Sequence, residues 1–231
     1  MENNMRTHAR ERKNMRLFNY DGGVMRSISK FTDCISLSLL FLVSCIPIFT
    51  IGTAMAAMYH TAYKVLRHDR GYVFRDYTES FRDNFKQTTP VWLIALALAV
   101  LLGVDGYIMN FYAKAGSIPA ALGVVFLVGL IAWFVWVSYL FPYMARFENT
   151  RKQSMKNAVL FPVIHFPMTI LMMAIAAGTG FVMYLFPFLV VMLPAICSWI
   201  QSFILEWVFR KYMTEEERKL EDERNRKDFD R

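Results

Sequence analysis

The chain has 231 residues, of which 55% are hydrophobic and 16% aromatic, and 26 Lys and Arg against 19 Asp and Glu give a formal net charge of +7. That apolar share exceeds the roughly 45–50% of ordinary soluble domains and excludes one of usual composition. The charges are segregated: runs of 30, 18, 31 and 49 residues without Asp, Glu, Lys or Arg follow Asp33, Lys86, Lys114 and Lys156.

About 20 apolar residues cross a bilayer as a helix, and in lipid the backbone must satisfy its own hydrogen bonds. The runs lack the alternating pattern of a barrel strand. An all-α, polytopic membrane bundle over residues 31–212 is therefore predicted, with the bilayer as its first partner. Residues 1–30 form a basic arm carrying Arg6, Arg10, Arg12, Lys13 and Arg16, and residues 213–231 a charged tail with Glu215 placed to pair with Lys219. Ala54-Met55-Ala56 resembles a signal cleavage site, but the charged stretch before the apolar run is as long as a whole typical signal, so no cleavage is expected.

The first apolar run contains Ser44-Cys45-Ile46-Pro47-Ile48-Phe49-Thr50-Ile51-Gly52. Read as one helix it gives five spans; read as a turn it gives six membrane segments with both termini in the cytoplasm. Charge decides between them, because Lys and Arg accumulate on the cytoplasmic side. With the turn, 25 basic residues face the cytoplasm and Lys114 alone faces outward. Pro47 has no N–H for the helix ladder, Thr50 is placed as an N-cap, and Gly52 as a flexible joint. Each arm of about 15 residues reaches about 22 Å, so a tilted hairpin and a re-entrant one both fit.

Residues 72–88 read as a cytoplasmic amphipathic helix. Phe74, Tyr77, Phe81 and Phe85 fall on one stripe, with Arg75, Asp76, Glu79, Arg82, Asp83 and Lys86 on other faces. Such a helix either lies in the lipid headgroups or docks into a partner. A span from Val91 to Phe111 follows, with Pro90 at its first turn. Asp105 falls near its outer end and is a candidate for transport or gating, since ionisable residues in a bilayer are costly. The 31-residue run makes one span, entered at Ser117-Ile118-Pro119 and left near Pro142-Tyr143. The 49-residue run makes two, broken at Phe186-Pro187-Phe188, and Glu206 is spaced to pair with Arg210 near the inner edge.

Cys34, Cys45 and Cys197 lie in apolar runs, and His60 and His165 stand without a second ligand at helical spacing, so neither a cofactor nor a metal is expected. Small residues recur at four-residue spacing at Ala95, Ala99 and Gly103, at Gly52 and Ala56, at Thr53, Ala57 and Thr61, and at Ala176 and Gly180. They suit close packing within the bundle or the seam of a homo-oligomer. No Walker loop, nucleophile elbow or zinc-protease helix is present, so no enzyme is expected, and a basic arm beside a membrane does not suit nucleic acid.

Phe18-Asn19-Tyr20-Asp21-Gly22, Met25-Arg26, the stretch around Pro47, Gly71-Tyr72-Val73-Phe74-Arg75 and Ser80-Phe81-Arg82-Asp83-Asn84-Phe85-Lys86-Gln87 together resemble the YesL-like family, a bacterial membrane domain of unknown function. Asp21-Gly22-Gly23 stands where that family commonly has Asp-Gly-Pro. The resemblance implies a multi-pass protein of the bacterial cell membrane, often encoded beside carbohydrate ABC importers and glycan-degrading enzymes. It implies no catalytic residues. The expected function is an accessory or assembly subunit of oligosaccharide ABC import, partnered by permease or ATPase subunits. A stand-alone small-solute transporter and a purely structural membrane protein are the alternatives.

Overall fold

A computed structural model describes residues 28–114, 121–147, 150–213 and scattered positions from 215 to 223. The basic arm up to residue 27, most of the tail, and the predicted entry at Ser117-Ile118-Pro119 lie outside these. Among the described residues there are seven helices and no strand: α1 (Ile28–Cys45), α2 (Ile51–Thr61), α3 (Val73–Lys114), α4 (Ala121–Arg146), α5 (Arg151–Ile164), α6 (Phe166–Leu185) and α7 (Leu193–Phe209). Helices α1, α3, α4 and α6 are long and apolar enough to cross a membrane; α7 is apolar but shorter. Over the described residues the chain is all-helical and of membrane character, with four candidate spans.

The run around Pro47 turns the chain, but not as the residues suggested. Thr50 makes no cap bond to α2; its hydroxyl donates backwards to the carbonyl of Ser44 at the end of α1 (2.5 Å) and to that of Pro47 (2.6 Å), which also accepts the Thr50 backbone N–H. Gly52 is no flexible joint either. It sits buried inside α2, where a Cβ would come within 2.6 Å of both Phe141 and Trp92. The glycine is there so that α3 and α4 can close on the α2 backbone.

Helix α2 occupies the centre. Gly52, Thr53, Ala54, Ala56, Ala57 and Thr61 are all buried, and the Thr53 hydroxyl bonds Thr88 at 2.7 Å and Thr89 at 3.0 Å on α3. Its small side chains let neighbouring backbones approach, as lipid-phase packing requires. One core joins α2 to the middle of α3, α4, α5 and α7 around Trp92, Phe141, Tyr143 and Phe209; a second joins α1 to α2 and the start of α3 around Leu37, Leu66 and Tyr77. After Thr61 the helix widens into a π-helical segment, Ala62–Arg67.

Pro90 does not begin a span. It lies inside α3, a single helix of 42 residues and about 63 Å, twice the thickness of a bilayer core. Proline removes one ladder bond and crowds the carbonyl four residues back. That carbonyl, of Lys86, instead accepts a bond from the Arg151 guanidinium at 2.8 Å. The amphipathic stretch is thus continuous with the span rather than a separate helix. Pro142 likewise lies within α4, which continues to Arg146. The basic stretch after Arg146 contains a helix the sequence did not announce, α5, which ends at His165 before Pro167 starts α6. The break after α6 falls as expected, at Phe186, followed by a 3-10 turn over Pro187–Val191. Ser38 of α1 accepts the Ala195 backbone N–H at 3.1 Å and so caps the start of α7.

Candidate functional site

At the end of the bundle where α3 outruns its apolar half, a cleft of about 1040 Å³ opens between α2, α3, α4 and the start of α5. His60 lines it from α2, Lys64 from the π-helical segment that follows, Asp76, Glu79 and Asp83 from α3, and Arg146 and Arg151 from the α4–α5 corner. Charges of both signs line it, together with Ser80, Asn84 and Gln87. A polar element or solute, rather than an apolar one, suits such a lining.

The loop that begins α3 fixes one wall. Asp76, on the first turn of α3 and almost fully buried, accepts the Tyr72 backbone N–H at 2.8 Å and forms an ion pair with Lys64. A carboxylate there also complements the positive end of the helix. Gly71 is held at φ +76°, and a Cβ at that position would lie 2.1 Å from Asp76 Oδ2. Only glycine meets both demands. Asp69, also at positive φ, pairs with Lys30 at 3.0 Å and ties the loop to α1.

Behind the cleft lies a buried polar cluster. The Tyr59 hydroxyl donates to Glu206 Oε1 at 2.7 Å, and Arg146 Nε stands 3.2 Å from the same oxygen. Glu206 is 2% exposed, so its charge depends on these partners. Aromatic rings of Tyr143, Phe147, Phe161 and Phe209 pack around it, and the Arg146 guanidinium lies 5.0 Å from the Tyr63 ring centre. Arg146 borders the cleft; Tyr59 borders a second cavity among α2, α4, α6 and α7. The cluster separates the two spaces. The Glu206–Arg146 pair joins α7 to α4 across 60 positions of chain, beyond the reach of local spacing, which offered only Arg210. The readable signal was the carboxylate itself, deep in an apolar run.

The predicted docking stripe is divided by the fold. Tyr77 is 2% exposed and packed against α1 and α2, so it faces its own chain. Phe81 stacks on Tyr77 with ring centres 6.2 Å apart and Phe85 follows at 5.9 Å, both half-buried, while Phe74 is 69% exposed. The inward face of α3 is the line Val73, Asp76, Tyr77, Ser80 and Thr88, and the phenylalanines lie along its flank. Asp105 lies 22 positions beyond Asp83, about 33 Å along the helix. It is partly exposed at the edge of a shallow apolar groove beside Leu101 and Val104, and is not brought to the cleft or the cluster. His60 lines the cleft. His165, at the α5–α6 break, bonds the Tyr212 hydroxyl at 3.2 Å; partial burial, with Lys211 nearby, lowers its pKa.

Helices of spanning length, a charged cleft beside the longest and an ion pair buried in the bundle define an all-helical protein of membrane character with a polar cleft. Residues 34–106, from α1 into the apolar half of α3, match the family described as "Protein of unknown function, DUF624". The match covers Pro47, Gly52, Gly71 and Asp76 and one side of the cleft, but under half of the chain. No curated protein and no solved structure matches it.

Proposed function

We propose that the chain is a non-enzymatic accessory subunit of the bacterial cell membrane, with six membrane segments and both termini in the cytoplasm, that docks through its cleft onto a carbohydrate ABC importer. The division of basic residues supports a cytoplasmic position for the cleft. The partner class comes from the YesL-like resemblance. The observation that carries docking is the cleft's position on the amphipathic half of α3, a stretch of about 25 Å continuous with a span. A partner element seated there is held in fixed geometry to the membrane, flanked by exposed Phe74 and half-buried Phe85 and met by Glu79 and Asp83. Purification from native membranes, followed by mass spectrometry, tests this. Permease or ATPase subunits should accompany the wild-type chain and be lost from a Glu79→Lys, Asp83→Lys variant that still inserts.

One observation favours a second reading, a small-solute transporter. Arg146 and Tyr59 border different cavities and both meet Glu206, so separation of that cluster would connect them. Uptake by vesicles holding this chain alone would support passage over docking.

A further inference from the structure

The second cavity, about 330 Å³, is a groove open on one side among α1, α2, α4, α6 and α7 and is lined mainly by apolar side chains, Met55, Met58, Phe134 and Met183 among them. Its size falls at the low end for ligand pockets, enough for one chain rather than a whole two-chain lipid. No residue lining it carries a charge. Gly180 faces it, and a Cβ there would meet nothing within 4 Å, so the space continues up to the α6 backbone.

The polar groups in its wall fall into two sets. Ser138 and Thr179 are satisfied within their own helices, donating at 2.8 Å to the carbonyls of Phe134 and Ile175, and Tyr59 is committed to Glu206. Ser198 and Gln201, one turn apart on α7, are different: both line the cavity, and among the described residues neither side chain makes a hydrogen bond. A serine in a membrane helix ordinarily donates to its own preceding turn. A carboxamide facing hydrocarbon without a partner is unfavourable.

We propose that this cavity binds the acyl or prenyl chain of a membrane amphiphile whose head is uncharged and oxygen-bearing, with Gln201 and Ser198 bonding that head and the methionines packing the chain. The flexible thioethers fit an irregular chain. The uncharged lining selects a hydroxyl or ester head over a phosphate, because a buried anion needs a cation that this wall does not supply. The site goes beyond the docking reading and stands whether or not a partner occupies the cleft.

The test uses the full chain in nanodiscs with a monoacylglycerol carrying a diazirine in mid-chain. Labelling should concentrate on α6 and α7 residues that line the cavity and be competed by unlabelled monooleoylglycerol. It should fall about tenfold in Gln201→Leu, the loss expected from about one hydrogen bond. Gly180→Phe should abolish it by filling space that is open in the wild type; Ala176→Leu serves if that variant does not insert. Phosphatidylglycerol should compete poorly. Uniform, uncompeted labelling of the lipid-facing surface overturns the proposal, as does equal competition by phosphatidylglycerol. Loss of label as protein-to-lipid ratio rises would place a second copy in the groove and overturn it too.

Discussion

Arg146, on the last turn of α4, and Glu206, on α7, meet with Nε and Oε1 3.2 Å apart, and the Tyr59 hydroxyl holds the same carboxylate oxygen. Removing one partner of a buried ion pair leaves a charge without compensation and costs about 3–5 kcal/mol, whereas an apolar replacement of both is often neutral. Arg146→Met should therefore lower the thermal midpoint of the detergent-solubilised protein sharply, and Arg146→Met with Glu206→Leu should recover most of the loss. Equal midpoints for the single variant and the wild type would show that the pair holds nothing together.

Gly52 carries the closest approach of α2 to α3 and α4. Gly52→Val would drive a side chain into Phe141 and Trp92 and should destabilise by about 1–3 kcal/mol, the range for overpacking a filled core. Chemical denaturation in mixed micelles measures this. A flexible-joint role would instead show as tolerance of valine.

Gly71→Ala should be harmful for two separable reasons. Its positive φ disfavours alanine by about 1–2 kcal/mol, and the added Cβ would collide with Asp76 Oδ2. Gly71→Asn, which tolerates the backbone conformation but keeps the collision, isolates the second effect. Both variants should increase proteolysis within residues 68–72, read by limited digestion; an unchanged digestion pattern would remove the loop's role in setting the cleft wall.

What could be read in advance follows the range of the forces involved. The turn at Pro47 and the break at Phe186 were legible because proline acts through its own fixed dihedral and missing donor. The continuity of α3 was not: Pro90 reads locally as a helix start, and the bond that stabilises the carbonyl behind it comes from Arg151, which is distant in sequence. Nor was α5, whose basic first turn reads as a loop until Phe161 is seen buried against Tyr143 and Phe209. Even spacing suggested that Tyr77 shared a free stripe with Phe74, Phe81 and Phe85, but periodicity reports that a face is apolar and not what covers it.

That division of the stripe has a direct consequence. Tyr77→Ala, cut out of the packing among α1, α2 and α3, should cost about 3 kcal/mol in stability. Phe74→Ala should leave stability within about 0.5 kcal/mol, as surface changes do. If Phe74 belongs to a docking surface, its variant should retain the wild-type thermal midpoint while losing co-purified subunits. A Phe74 variant that unfolds with Tyr77→Ala would assign both residues to the core.

The most direct test of docking through the cleft is photo-crosslinking in living cells from a genetically encoded benzophenone residue placed at Asp83, with Tyr107, at the far end of α3, as the control position. Crosslinks from Asp83 to a permease or ATPase subunit of an importer, absent from Tyr107, are the predicted result. Adducts to lipid alone from both positions, in protein that purifies without companions and moves a solute in vesicles, would contradict the account.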